Sequence, residues 1–145
     1  MPRPRRVAVF SFKDDLHARL ISRLINDLGH RCHHIATDRI ANQAALSWQP
    51  DNSTIWDTEG HAVQPADLDV VWWRRVKGGQ TFEHQPDPET RTLMEVECRT
   101  AFYGMMLTHF QGRWVNHPAA DIRADNKLAQ LQAAHATGWT IPQTL

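Results

Sequence analysis

Cysteine and long apolar runs are both scarce in this sequence of 145 residues. Its two cysteines, Cys32 and Cys98, fall in segments typical of a strand and a helix, so a disulfide framework is not expected and a reducing cytosol fits. The first apolar run, Val7–Phe10, is too short for a signal peptide, and no stretch approaches the roughly 20 apolar residues of a membrane span. We therefore expect a soluble, cytoplasmic protein with no membrane partner.

Net charge is also absent, because 16 Lys and Arg balance 16 Asp and Glu. A nucleic-acid interface normally needs a clear positive excess, so no nucleic-acid partner is expected. The local basic cluster at 3–6 contains proline and precedes the first strand, which favours a solvated leader over a binding arm. Thirteen of the 16 cations are arginine, and this bias favours planar recognition of carboxylate or phosphate.

Glycine-rich phosphate loops are missing as well. The loop Phe10–Asp15 has none of the glycines that let a backbone approach a pyrophosphate, which argues against a dinucleotide site there. In Lys77–Gly79 the lysine precedes the glycines, the reverse of the order in a phosphate-cradling loop. The sequence therefore predicts neither of these two nucleotide-binding loops.

The sequence does contain an alternation of strand and helix patterns. Arg6–Phe12 is rich in β-branched and aromatic residues and predicts a first strand. Leu16–Leu28 carries leucine and isoleucine at spacings of three and four, which predicts an amphipathic helix with one apolar stripe. Residues 31–37 predict a second strand, and residues 45–64 predict a small antiparallel meander with a turn at Glu59–Gly60.

The second half predicts further strands and helices. Val70–Trp73 predicts a strand, residues 88–110 a long helix, and Arg113–Asn116 a short strand. Asp121–Ala136 predicts one last helix, followed by an extended segment from Thr140. Together these patterns predict an α/β fold with a small, open, mostly parallel sheet of Rossmann type, flanked by helices and interrupted by the meander.

Two arginines follow the apolar strand Val70–Trp73 at once. Four apolar residues in succession are typical of a central strand that is covered on both faces. Open α/β folds bind ligands at the carboxyl ends of such strands, and arginine grips carboxylate or phosphate in a bidentate way. The sequence therefore predicts an anion-binding pair, Arg74 and Arg75. The alternative, that these charges only end a strand in solvent, stays open.

The histidines around Cys32 do not predict a metal site. Cys32, His33 and His34 are consecutive, but strand alternation sends His33 to the opposite face from the other two. No second ligand pair at the spacing of a structural zinc site follows. We therefore expect ordinary sheet positions here and no metal site in the chain.

Three aspartates match a receiver domain in residue type alone. Asp14 and Asp15 follow the first strand and Asp57 comes later, as do the carboxylates that bind magnesium and accept a phosphoryl group in such domains. However, Asp57 lies in a turn with no strand and helix before it, and no lysine follows a late strand. This context argues against a receiver domain.

Several motifs carry a resemblance to a known family. They are Trp72–Arg75, Trp114–Pro118, Asn126–Leu131, Ala134, Gly138 and Ile141–Leu145. With these residues the sequence resembles the N-terminal pre-ATP-grasp domain of ATP-grasp ligases. It is most similar to the microviridin-type, or graspetide, peptide maturases and more distantly to the ribosomal-protein glutamate ligases. The resemblance covers the second half of the chain well and the first half only through its β-α-β order.

The resemblance implies a domain organisation and a chemistry. Residues 1–118 would form the pre-ATP-grasp domain, and residues 119–145 would lead into an ATP-grasp domain that is missing from this chain. Such ligases use ATP and Mg²⁺ to activate a carboxylate as an acyl phosphate, which an amine or hydroxyl then attacks. By resemblance, Arg74 and Arg75 would face an acidic peptide or amino-acid substrate, and Lys127 would lie near the nucleotide phosphates.

The same resemblance implies that this chain alone is inactive. The carboxylates that hold magnesium belong to the missing lobes, so no catalytic residue and no tightly bound cofactor is expected here. Its partners would be the acidic substrate and the downstream ATP-grasp domain. In the longer ligase, Arg74→Ala is expected to raise the KM for the acidic substrate far more than that for ATP. The alternative is a stand-alone module that uses the arginine edge to bind an acidic peptide or to form a homodimer.

Overall fold

The computed structural model describes residues 3–40, 46–76, 82, 85 and 87–143. The chain divides into two units, Met1–Val115 and Asn116–Leu145. The sequence predicted a different division, in which residues 1–118 form the pre-ATP-grasp domain and residues 119–145 lead into a further domain. That division stays a prediction. The elements of the described residues, in chain order, are β1 (Arg6–Ser11), α1 (Leu16–Asp27), β2 (Arg31–Ala36), β3 (Leu46–Gln49), β4 (Asn52–Trp56), β5 (Ala62–Val63), β6 (Val70–Trp73), α2 (Pro88–His109), β7 (Arg113–Val115), α3 (Pro118–Ala124) and α4 (Lys127–Ala136).

The main sheet has four parallel strands in the order β2-β1-β6-β7. Its inner strand β1 is buried from Val7 to Ser11, and β6 buries Val71 and Trp73. The meander predicted after β2 forms a second sheet, in which β3, β4 and β5 pair antiparallel. The predicted fold class, α/β with a small open parallel sheet and an antiparallel meander, is confirmed.

An aromatic cluster joins α2 to the main sheet. The Trp73 ring stacks on Phe102 of α2 at 5.6 Å between centroids, and Phe10 of β1 lies 5.7 Å from the Trp73 ring. Trp114 of β7 closes the cluster, 5.8 Å from Trp73. Because Trp73 touches rings from three elements, the strand that the sequence predicted as central also lies at the centre of the core.

The leucines of α1 do not face the sheet. Leu16, Leu20, Leu24 and Leu28 are each about half exposed or more, whereas the small residues Ala18 and Ser22 are buried. The predicted apolar stripe is therefore only partly the packed side of this helix, because its Ile21 and Ile25 are half-buried while its leucines are exposed. The physical reason is distance: small side chains let the helix axis approach β2 closely, and leucines on that side would hold it away.

The basic cluster at the N-terminus is tied to the chain. Arg3 Nη2 and Arg5 Nη1 lie 2.6 and 3.2 Å from Asp69 Oδ1, and the Arg6 backbone N–H donates to Asp69 Oδ2. That backbone hydrogen bond comes first among the causes that lower the pKa of Asp69. Asp69 directly precedes β6, so these arginines hold the amino-terminal edge of the sheet, opposite the Arg74 edge. The expected solvated leader is exposed but ion-paired.

The last predicted helix is two helices. Asn126 interrupts the stretch that the sequence predicted as continuous, and its Oδ1 accepts the backbone N–H of Ala129 as an N-cap of α4. Asparagine is a preferred capping residue, and this explains the break between α3 and α4. Residues 141–143, predicted to be extended, belong to no strand. None of the helices described here has the length and apolar character needed to cross a bilayer.

Candidate functional site

The carboxyl ends of β1, β2 and β6 meet at one edge of the parallel sheet. This edge carries Ser11 at the end of β1, Asp15 just before α1, Thr37 after β2 and Arg74 after β6. The Thr37 hydroxyl donates to the Ser11 carbonyl at 3.2 Å, and the Arg74 backbone N–H donates to the Phe10 carbonyl at 3.0 Å. These bonds fix the loops at the edge where α/β folds bind their ligands.

Asp15 is the buried centre of this edge, with 1% of its side chain exposed. Its Oδ1 accepts the backbone N–H groups of His17 and Ala18, so it caps the N-terminus of α1. Its Oδ2 accepts the Ser11 hydroxyl at 2.5 Å and Arg74 Nε at 2.9 Å. Both carboxylate oxygens are therefore held by the fold, and a helix dipole adds to their stabilisation.

Arg74 is held from two sides. Its Nε donates to Asp15, and its Cζ lies 5.1 Å from the ring centroid of Trp72, within cation–π range. A guanidinium carries five N–H donors, and the contact with Asp15 uses one of them. Its side chain remains 20% exposed. The sequence placed Arg74 at the sheet edge, and the structure adds that a buried carboxylate orients its guanidinium.

Arg75 is exposed and has a backbone φ of +43°. Among the described residues it is the one residue other than glycine with a positive φ. This left-handed conformation is uncommon for a residue with a Cβ. Such strained positions often occur at functional sites.

Lys127 belongs to the second unit. It is the first residue of α4, is exposed, and donates from Nζ to Gln130 Oε1 at 3.1 Å. Gln130 in turn donates to the Ala124 carbonyl, so this contact stays within α3 and α4. The predicted role of Lys127 near a nucleotide stays a prediction.

A groove of about 480 Å³ opens beside α1 and β2, and neither Arg74 nor Arg75 lines it. Its walls are polar and charged: Lys13 and Asp14 come from the β1–α1 loop, Arg19 and Arg23 from α1, and Thr58 and Glu59 from the β4–β5 turn. Sequence reasoning missed this groove, because nothing in the residue pattern predicted that the β4–β5 turn packs beside α1.

Sequence reasoning also missed a cluster formed by His33, Asp57 and His61. The sequence showed no second ligand pair for His33 at the spacing of a zinc site, because its partners come from the β4–β5 turn. Of the three aspartates weighed as a receiver pattern, Asp15 pairs with Arg74 and Asp57 pairs with the two histidines.

Asp15 makes the fold sensitive to acid. Burial by itself raises the pKa of Asp15, but hydrogen bonds from Ser11, the Ala18 backbone and Arg74 lower it to about 2, below its ordinary value of 3.8. A carboxylate with a lowered pKa stabilises the fold above the unfolded-state pKa, and this stability is lost as pH falls through the folded-state pKa.

We therefore expect the free energy of unfolding to decrease by about 2 kcal/mol between pH 5 and pH 2 through Asp15 alone. Urea denaturation of the wild type and of Asp15→Asn at both pH values measures the decrease that Asp15 causes. Asparagine keeps the helix cap but does not titrate. Equal decreases in the two proteins would show that Asp15 titrates normally.

A parallel sheet with a charged carboxyl edge and an attached antiparallel meander is the architecture of a pre-ATP-grasp domain. Residues 7–122 match the family model described as the MvdD pre-ATP grasp domain. The chain belongs to this family, and the predicted resemblance is confirmed. No curated protein sequence matches the chain.

Solved structures show the same fold. The macrocyclase MdnC from Microcystis aeruginosa MRC, bound with precursor peptide MdnA, matches with a TM-score of 0.80 and 25% identity over 97% of this chain and 46% of MdnC. The macrocyclase MdnB from the same organism matches with a TM-score of 0.77 and 21% identity over 98% of this chain and 47% of MdnB.

A third match is the RiPP-associated ATP-grasp ligase from Chryseobacterium gregarium, in complex with ADP and a leader and core peptide. Its TM-score is 0.73 at 18% identity, over 96% of this chain and 43% of that ligase. The chain thus spans less than half the length of each of these three proteins.

Proposed function

We propose that this chain is the substrate-side domain of an ATP-dependent ligase that modifies a peptide by joining a carboxylate to an amine or hydroxyl. The observation that carries this proposal is its membership of the MvdD pre-ATP grasp family. The solved structures with a precursor peptide or with a leader and core peptide support a peptide as the substrate class.

In this proposal, Arg74 and Arg75 bind the acidic side chains of the peptide. Their position at the carboxyl end of an inner strand supports this role, because α/β folds bind ligands there. A planar guanidinium pairs with a carboxylate through two parallel hydrogen bonds, which fixes direction as well as charge. Asp15 would orient Arg74 before the peptide arrives, so less conformational entropy is lost on binding.

In this proposal the domain would be joined to ATP-grasp lobes, and ATP and Mg²⁺ would act through them. ATP would supply the phosphoryl group that activates a carboxylate as an acyl phosphate, and Lys127 would contribute charge near its phosphates. Mg²⁺ prefers several oxygen ligands, and the one group of three or more potential metal ligands within the described residues contains two imidazoles. In this proposal, the carboxylates that hold magnesium belong to the ATP-grasp lobes.

A stand-alone binding module is the second candidate. The same Arg74 and Arg75 edge would then hold an acidic peptide, or a second copy of the chain, without any chemistry. The two candidates agree on peptide binding and differ in ATP-dependent modification. Reading the open reading frame beyond Leu145 and assaying its product for ATP-dependent ester or amide formation separates them.

Arg75 is the cleaner probe of the peptide site, because Arg74 also pairs with the buried Asp15. We expect Arg75→Ala to weaken binding of a fluorescently labelled, glutamate-rich peptide to the 145-residue chain at least about 10-fold, the loss of one charge-assisted hydrogen-bond pair. Fluorescence anisotropy at low salt measures the dissociation constants. In the ligase, the same change should raise the KM for the peptide and leave that for ATP unchanged.

Arg99→Ala is the matched control, because Arg99 is an exposed arginine on α2 rather than at the carboxyl edge. It removes the same charge and should leave the affinity for the peptide unchanged. If the two variants weaken binding equally, the peptide is held by general electrostatic attraction. The specific role given to the Arg74 and Arg75 edge would then be wrong.

A further inference from the structure

Three side chains with metal-binding atoms meet where the meander reaches the main sheet. His33 comes from β2, whereas Asp57 and His61 stand at the two ends of the turn between β4 and β5. Each offers one ligand atom, and these atoms all lie within 4.8 Å of one another. His33 Nδ1 is 2.7 Å and His61 Nδ1 is 3.2 Å from Asp57 Oδ2. We propose that His33, Asp57 and His61 bind a divalent transition-metal ion, with zinc the best-suited metal.

The carboxylate of Asp57 is fixed in the orientation that a ligand needs. Its Oδ1 accepts the backbone N–H groups of Glu59 and His61, both at 2.9 Å, which directs Oδ2 at the imidazoles. The side chain is 4% exposed, so the carboxylate is shielded from water.

The set of donors favours zinc over calcium or magnesium. Two imidazole nitrogens and one carboxylate oxygen suit zinc, whereas calcium and magnesium take oxygen ligands. Around a tetrahedral zinc ion, neighbouring ligand atoms lie about 3.3 Å apart. The distance from His61 to Asp57 already has this length, and the distance from His33 to Asp57 must open by roughly half an ångström.

The remaining geometry can adjust to the ion. The side chain of His61 is 52% exposed, so its ring can turn toward a metal without disturbing the core. Glu59 Oε2 lies 3.6 Å from His61 Nδ1 and offers a further oxygen ligand. Three protein ligands leave a fourth position for Glu59 or a water molecule.

The ion would fasten the turn to the edge strand. The backbone N–H of Thr58 already donates to the His34 carbonyl at 2.9 Å, so the turn lies against β2 without a metal. The competing explanation is that Asp57 accepts hydrogen bonds from two protonated Nδ1 atoms and that no ion binds. Metal binding needs the lone pairs of both Nδ1 atoms, so an ion would displace any proton that they carry.

Cobalt and zinc titrations of the chelator-treated 145-residue chain test the proposal. We expect one equivalent of Co²⁺ to bind with the intense visible absorption of tetrahedral coordination, and Zn²⁺ to displace it. Zinc at 100 times its dissociation constant should raise the Tm by about 5 to 10 °C. No stoichiometric binding, or only the weak absorption of octahedral cobalt, would overturn the proposal.

Two variants assign the ligands. His61→Ala changes a half-exposed side chain, and Asp57→Asn keeps a similar shape, so each should fold, which far-UV circular dichroism checks. Each should lower the zinc affinity at least about 100-fold. His135→Ala removes an exposed histidine from α4 and is the matched control, which should bind as the wild type does. Unchanged affinity in a folded His61→Ala or Asp57→Asn variant would mean that zinc binds elsewhere.

Discussion

Replacing Arg74 with alanine should lower the free energy of unfolding by about 3 kcal/mol, because it leaves a buried carboxylate without its cationic partner. Asp15 has 1% of its side chain exposed, and its Oδ2 accepts a hydrogen bond from Arg74 Nε at 2.9 Å. The Ser11 hydroxyl and the backbone N–H groups of α1 would remain, so the site should not collapse entirely. Urea denaturation followed by circular dichroism measures the loss.

A double-mutant cycle with Asp15→Asn isolates the pair. Asparagine still caps α1 but carries no charge, so Arg74→Ala should cost much less in the Asp15→Asn background. We expect a coupling energy of about 1 to 3 kcal/mol, as found for residues in direct contact within a network. Additive effects would mean that Arg74 and Asp15 do not stabilise one another.

This pair also affects how the kinetics of Arg74 variants are interpreted. The sequence predicts that Arg74→Ala raises the KM for an acidic substrate, but the same change should disturb the start of α1 through Asp15. A raised KM in that variant therefore has two sources. Arg74→Lys keeps the charge and loses the fork geometry, so it should retain stability better than alanine and still weaken peptide binding.

Trp73→Ala should have the largest effect on stability, about 4 kcal/mol, because it removes the ring around which the core is packed. Trp73 is 4% exposed and lies within 5.8 Å, between centroids, of the rings of Phe10, Phe102, Tyr103 and Trp114. Its loss would leave a cavity between β6 and α2. Urea denaturation again measures the difference.

Trp48→Ala is the matched control for this prediction. Trp48 lies on β3, is 52% exposed, and has an edge contact with His109. The same chemical change should therefore cost at most about 1 kcal/mol. If both variants lose the same free energy, the aromatic cluster around Trp73 is not what stabilises the sheet.

The amino-acid sequence determined the order of the strands along the chain and which of them are most buried. Val7–Phe10 and Val70–Trp73 are continuous apolar runs, and such runs must be covered on both faces, which puts both strands inside the sheet. The meander was predictable from short strands and the turn at Glu59–Gly60. The position of Arg74 and Arg75 at the carboxyl edge follows directly from their position after the second run.

Apolar spacing did not predict which side of α1 packs on the sheet, and it did not predict the break between α3 and α4. The leucines of α1 are regularly spaced, but packing chose Ala18 and Ser22 because short side chains let the helix lie close to the sheet. Asn126 lies inside a stretch with a helical pattern, and only the structure shows that its side chain caps the start of α4. The spacing of apolar residues contains no information about side-chain size at the contact or about capping hydrogen bonds.

Only the tertiary structure decided which charged and polar groups meet. Asp15 and Arg74 are separated by 59 positions, and His33 and Asp57 by 24. Strand alternation predicts the face of the sheet on which a side chain lies. Which side chains meet there depends on how β1, β6 and the β4–β5 turn pack in space. The sequence therefore determined where the arginine edge begins, and the fold alone decided that a buried carboxylate orients it and that two histidines share an aspartate.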